Sequence, residues 1–84
     1  MKNVRLTQHA LQQCIERGTD SIEVTLAVNH GSREPAKQGR LFCRYNFPFN
    51  GLWQGKYYAI KQVAPVIKVE SQEIVVITVY TYFF

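Results

Sequence analysis

The chain is poor in the residues that build disulfide, metal and membrane functions. Its two cysteines, Cys14 and Cys43, fit neither a metal-ligand spacing nor a disulfide framework and read as buried small hydrophobes. Acidic residues number 6 against 10 Lys and Arg. They form no carboxylate cluster, and His9 and His30 stand apart, so neither a metal nor another cofactor is expected. No apolar run approaches the ~20 residues that a membrane-spanning helix needs. The polar N-terminus lacks the apolar stretch of a signal peptide. A cytoplasmic protein with no membrane association is therefore the default expectation. Repeats and low-complexity segments are absent as well. With 84 residues, the chain is expected to form one domain, 1–84, with one core and no separate catalytic module. Any active site must then lie on the surface of that unit.

What the chain does have is basic charge and strong β-forming segments. A formal net charge of +4 and a pI near 9.3 bias encounters toward anionic partners, of which nucleic acid is the commonest. The run from Ile74 to Phe84 is Ile, Val, Tyr and Phe broken only by Thr78 and Thr81. Read with period two, Val75, Ile77 and Val79 point one way and Val76, Thr78 and Tyr80 the other. One face then serves a core, and the second carries a hydroxyl and a phenol.

Upstream, Thr7 is a good N-cap for a helix through QHALQQCIER, and Gly18 supplies a left-handed stop. Ala10, Leu11, Cys14 and Ile15 make its apolar stripe, while His9, Gln13 and Arg17 follow an i, i+4, i+8 track. Residues 21–30 alternate as a strand would, yet their boundaries are helical, with an Asp20–Glu23 capping box and Gly31 as the stop; a second helix is expected. The polar stretch from Gly31 to Gly39 reads as a loop or short edge strand. A strand follows from Arg40 to Asn46, with Leu41, Cys43 and Tyr45 on one face and Arg40, Phe42 and Arg44 on the other. Pro48, Gly51 and Gly55 make Asn46 to Gly55 read as a long hairpin loop with exposed aromatics. A strand resumes at Lys56, passes a bulge at Pro65 and ends at Val69; Ser71 and Gln72 turn the chain into the final strand. The expected fold is α+β, with two N-terminal helices on one face of a three- to four-stranded, mainly antiparallel sheet.

The opening LTQHALQQCIERG, the short second helix ending at Gly31, the basic strand GRLFCRY and the closing IVVITVYTYFF together resemble a family of small bacterial and phage proteins, domain of unknown function 4258. That family is grouped with the RelE- and BrnT-like toxins of the barnase, EndoU, colicin and RelE ribonuclease fold. The likeness spans nearly the whole chain. It rests on element order, the His-Ala and Arg-Gly pairs of the first helix, and the terminal Val-Ile-Thr-Val-Tyr. It implies a RelE-like domain whose open sheet face holds RNA, with helices on the reverse side. The matching positions are His9, Arg17, Thr78 and Tyr80. The aromatic segment from Phe47 to Trp53 has no counterpart in a toxin motif.

Metal-independent RNA cleavage needs a base for the 2′-hydroxyl, a cation for the phosphorane and an acid for the leaving oxygen. His9 suits acid/base work, or else packs at the helix start. Arg17 can hold phosphate or simply favour the helix C-terminus. Thr78 can donate to phosphate, and Tyr80 can stack or act as a weak acid; both are equally good β-formers. Arg40 and Arg44 share a strand face and would contact RNA, joined by Lys61 if that residue points the same way; solvated strand charges look identical in sequence. His30 reads as a helix-end cation. The leading expectation is an endoribonuclease, the toxin of a toxin-antitoxin pair, inhibited by an antitoxin protein whose acidic segment covers the basic face. The alternative is a non-catalytic module binding protein or nucleic acid on the same fold. Phe47, Phe49, Leu52 and Trp53 would then mark a partner site, unless they fold back onto the sheet as a minicore. Homodimerisation through the C-terminal strand edge is a further reading.

Overall fold

A computed structural model describes residues 2–84 of the chain. The order is β1 (Asn3–Leu6), α1 (Gln8–Arg17), α2 (Ser21–His30), β2 (Ser32–Pro35), a 3₁₀ turn at Lys37–Gly39, β3 (Leu41–Trp53), β4 (Lys56–Val69) and β5 (Glu73–Phe83). Both expected helices are present, in an α+β arrangement. The sheet has five strands, in the order β1-β5-β4-β3-β2, where three or four were expected. The addition is β1; β2 is the short edge strand that the Gly31–Gly39 stretch allowed. β2 pairs antiparallel with residues 41–44 of β3, and β1 pairs parallel with residues 73–76 of β5, making the sheet mixed.

Local chemistry sets the helix boundaries. The Thr7 hydroxyl accepts from the Ala10 amide at 3.1 Å, and the Thr7 amide donates to the Val76 carbonyl at 3.1 Å. One residue therefore caps α1 and ties it to β5. Gly18 ends α1 at φ +72°, and the Asp20 carboxylate caps α2 through the Glu23 amide at 2.8 Å. Gly31 ends α2 as expected, its amide donating to the Ala27 carbonyl, with φ −73° rather than a left-handed conformation. Its requirement is steric, since a Cβ there would lie 2.4 Å from the Ala27 carbonyl oxygen and 2.5 Å from that of Arg44.

The supposed loop from Asn46 to Gly55 is instead the far half of a long hairpin. β3 runs on to Trp53, and the turn is only Gln54 and Gly55, both at positive φ, as a tight primed turn requires. Pro48 is tolerated because β2 leaves β3 at Arg44, making β3 an edge strand beyond that point. A bulge between Pro48 and Gly51 absorbs the irregularity, with Asn50 at φ 46°.

A second bulge changes the expected phase of β5. Val66 pairs with Thr78, but Ile67 pairs with Val76, so Ile77 is the extra residue. Val76 and Val79 consequently belong to the same core, together with Ala10 and Cys14 of α1, Val24, Ala27 and Val28 of α2, and Cys43, Val63, Ile67 and Ile74 of the sheet. Burial raises the pKa of both thiols, the reverse of what a reactive cysteine needs. No described helix is long and apolar enough to cross a membrane.

Candidate functional site

β1 covers the outer edge of β5 only as far as Val76. Beyond it the backbone of β5 would be bare, and α1 takes over as a substitute neighbour. The buried Gln13 amide oxygen accepts from the Val79 N–H at 2.8 Å, and Arg17 donates to the Val79 carbonyl at 2.7 Å. The Thr81 hydroxyl donates to the Arg17 carbonyl at 2.8 Å. Gln13 and Arg17, one helical turn apart, thus supply the acceptor and donor of a missing strand residue. The Arg17 guanidinium also lies 4.9 Å from the Tyr80 ring centroid. Two candidates from opposite ends of the sequence, Arg17 and Tyr80, are therefore in contact. His9 is exposed one turn before Gln13 on the same track, and Thr78 is half-buried on β5 one residue from Val79.

The sheet face away from the helices carries a second group. Phe42 and Tyr80 stack at 5.8 Å, over a buried Ala64 paired with Tyr80. Arg44 lies 4.3 Å above Phe42 and 5.6 Å from Tyr82. Its Nε donates to Glu34 at 2.7 Å and its terminal nitrogen to Gln62 at 2.9 Å; Gln62 in turn donates to Asn46 at 2.9 Å. The hydrogen bond to Glu34 raises the Arg44 pKa further. Arg44 is therefore an oriented cation, partly neutralised by its carboxylate partner. Arg40 is half-buried immediately before β3.

Lys61 does not join Arg40 and Arg44. It points to the helix side, 8% exposed, where its ammonium pairs with Glu23 at 2.6 Å and donates to the Gly18 carbonyl at 2.9 Å. The Thr19 hydroxyl completes this cluster by donating to Glu23 at 2.8 Å. Lys61 thus fastens β4 to the junction of the two helices, and the strand's alternation, unbroken through Lys61, Val63 and Ile67, sets that direction.

The aromatic segment folds back, as the minicore reading anticipated. Trp53 stacks on Phe83 at 5.0 Å and 11° between ring planes, and Phe49 meets Phe83 edge-on at 5.2 Å. Trp53 also occupies the space a Gly18 side chain would fill, 2.6 Å from the Cβ position. Leu52 and Tyr57 remain exposed near the hairpin tip.

No family model, curated protein or solved structure matches the chain. The site is read from its own chemistry. Gln13, Phe42 and Tyr82 were not among the expected site residues. Tyr82 is signalled by the alternation of Tyr80, Tyr82 and Phe84, and Phe42 by its place between Arg40 and Arg44. Nothing in a lone glutamine announces that it will complete a sheet edge. Among the described residues, no three His, Cys, Asp or Glu side chains gather as a metal site.

Proposed function

We propose that this chain is a metal-independent endoribonuclease with a RelE-like fold, acting as the toxin of a toxin-antitoxin pair and holding RNA on the open sheet face. The observation that carries the reading is the Arg17 guanidinium bonded to Val79 and resting on Tyr80. It joins a helical cation to the phenol of the terminal strand. His9 removes the 2′-hydroxyl proton, O2′ attacks phosphorus, and the P–O5′ bond breaks as O5′ takes a proton. The products are a 2′,3′-cyclic phosphate and a 5′-hydroxyl. The Arg17 nitrogens not used by Val79 stabilise the phosphorane, with Thr78 donating to a phosphate oxygen. Tyr80 is the base platform or the final acid, and Arg40 supplies longer-range attraction. An antitoxin with an acidic segment would compete for this face.

The test is cleavage of end-labelled RNA in EDTA by wild type, His9→Ala and Tyr80→Phe, each first confirmed as folded. Wild-type cleavage lost in His9→Ala supports the reading, and Tyr80→Phe separates an acid from a stacking ring. No cleavage across several RNAs rejects it. A non-catalytic RNA-binding module is the second reading, favoured by the Arg44 guanidinium held between Phe42 and Tyr82. RNA binding without cleavage is its signature.

A further inference from the structure

The open face carries a row of rings that begins at Tyr80 and continues through two, Tyr82 and Phe84, that no catalytic step uses. Tyr80, Tyr82 and Phe84 follow one another at every second position of the terminal segment and are 38%, 42% and 55% exposed. Tyr80 and Tyr82 pair with Ala64 and Gln62 of β4, and Phe84 exchanges backbone hydrogen bonds with Ile60. Three rings are therefore set along one β-strand direction. Neighbours hold the first two rings in place. Phe42 stacks on Tyr80, Arg17 lies over the same ring and Arg44 reaches Tyr82.

We propose that this row is a stacking platform for an unpaired RNA strand, seating successive bases between or upon Tyr80, Tyr82 and Phe84; this rests on the RNA reading above. The spacing favours an opened strand. Alternate side chains on a β-strand recur every ~6.6–6.8 Å, about twice the ~3.4 Å per nucleotide of a stacked duplex strand. Base faces are also inaccessible within a duplex, whereas single strands offer them to aromatic side chains. Charge selects a polyanion over an apolar protein segment. The chain carries +4, and Arg17 and Arg44 sit against the rings themselves. Tyr82 is thus a specificity determinant for single-stranded RNA.

Fluorescence anisotropy with a labelled single-stranded RNA and its blunt duplex tests the assignment, using His9→Ala protein so that cleavage does not consume the probe. The variants are Tyr82→Phe and Tyr82→Leu on that background, checked by melting and Trp53 emission. The expected result is preference for the single strand, retained by Tyr82→Phe and weakened about 5- to 150-fold by Tyr82→Leu. Equal affinity for both RNAs, or unchanged single-strand affinity in Tyr82→Leu, overturns the platform while leaving RNA binding standing. Failure of the parent protein to bind either RNA overturns both.

Discussion

Replacing Lys61 with Met separates a basic RNA contact from a structural ion pair. Methionine keeps most of the apolar stem but removes the ammonium from Glu23, the Gly18 carbonyl and the face of the Phe49 ring. Breaking a fully buried pair costs about 3–5 kcal/mol. Here the Lys61 and Glu23 side chains keep 10% and 23% exposure, and Thr19 still donates to Glu23, so about 2–3 kcal/mol is expected. For a domain of this size that lowers Tm by roughly 10–20 °C. Adding Glu23→Gln removes the orphaned charge and should restore about 1 kcal/mol or more, measured as the coupling in a double-mutant cycle by urea unfolding. At a temperature where both proteins are folded, Lys61→Met should bind RNA with an unchanged slope of affinity against salt. A near-wild-type Tm, zero coupling to Glu23, or a salt slope reduced by about one phosphate contact would each refute this account of Lys61.

Gly18→Ala should cost about 2–4 kcal/mol, combining left-handed backbone strain with displacement of Trp53 from its stack. The chain's single Trp reports it directly as altered emission, and the cost should shrink in a Trp53→Leu background. Glu34→Gln should tighten RNA binding and steepen its salt dependence by about one contact, because Arg44 loses its internal carboxylate; a changed Tm with unchanged affinity would place the pair in folding alone. Arg5 holds the Glu73 carboxyl below its ordinary range by hydrogen bonding and charge. A depressed acid stabilises the fold above its unfolded pKa and loses that contribution as pH falls through the folded value. Melting between pH 6 and 2.5 should therefore converge for wild type and Glu73→Gln below the ordinary Glu range of about 4.3; parallel curves would count against the pairing.

The helices were legible because Thr7, Gly18 and Asp20 act on groups within a few residues. Arg17 and Tyr80 were also nameable individually, and their contact agrees with the pairing of first helix and last strand. Other features depend on neighbours that local sequence does not reveal. Pro48 breaks an interior strand but not an edge, and only the short reach of β2 shows which applies. The faces of β5 could not be assigned by alternation, since Ile77 resets the phase through its register with β4. Likewise the four residues of β1 carry too little pattern to declare a parallel pairing with Glu73 to Val76. Lys61 looked like a surface cation because lysine usually is one; its partners come from the helix junction.

The position of β5 has a consequence for synthesis. It follows every other strand in the chain yet lies between β1 and β4, contributing Ile74, Val76 and Val79 to the core and the anchors for Thr7, Gln13 and Arg17. While a ribosome is still making the β3–β4 hairpin, β1 has no partner and α1 has no seat. Sheet closure must wait for contacts between the two ends of the chain, the kind that form slowly. The surface proposed to act on RNA thus comes into being only after translation has passed β5, and the β1–β4 segment made before it lacks that surface.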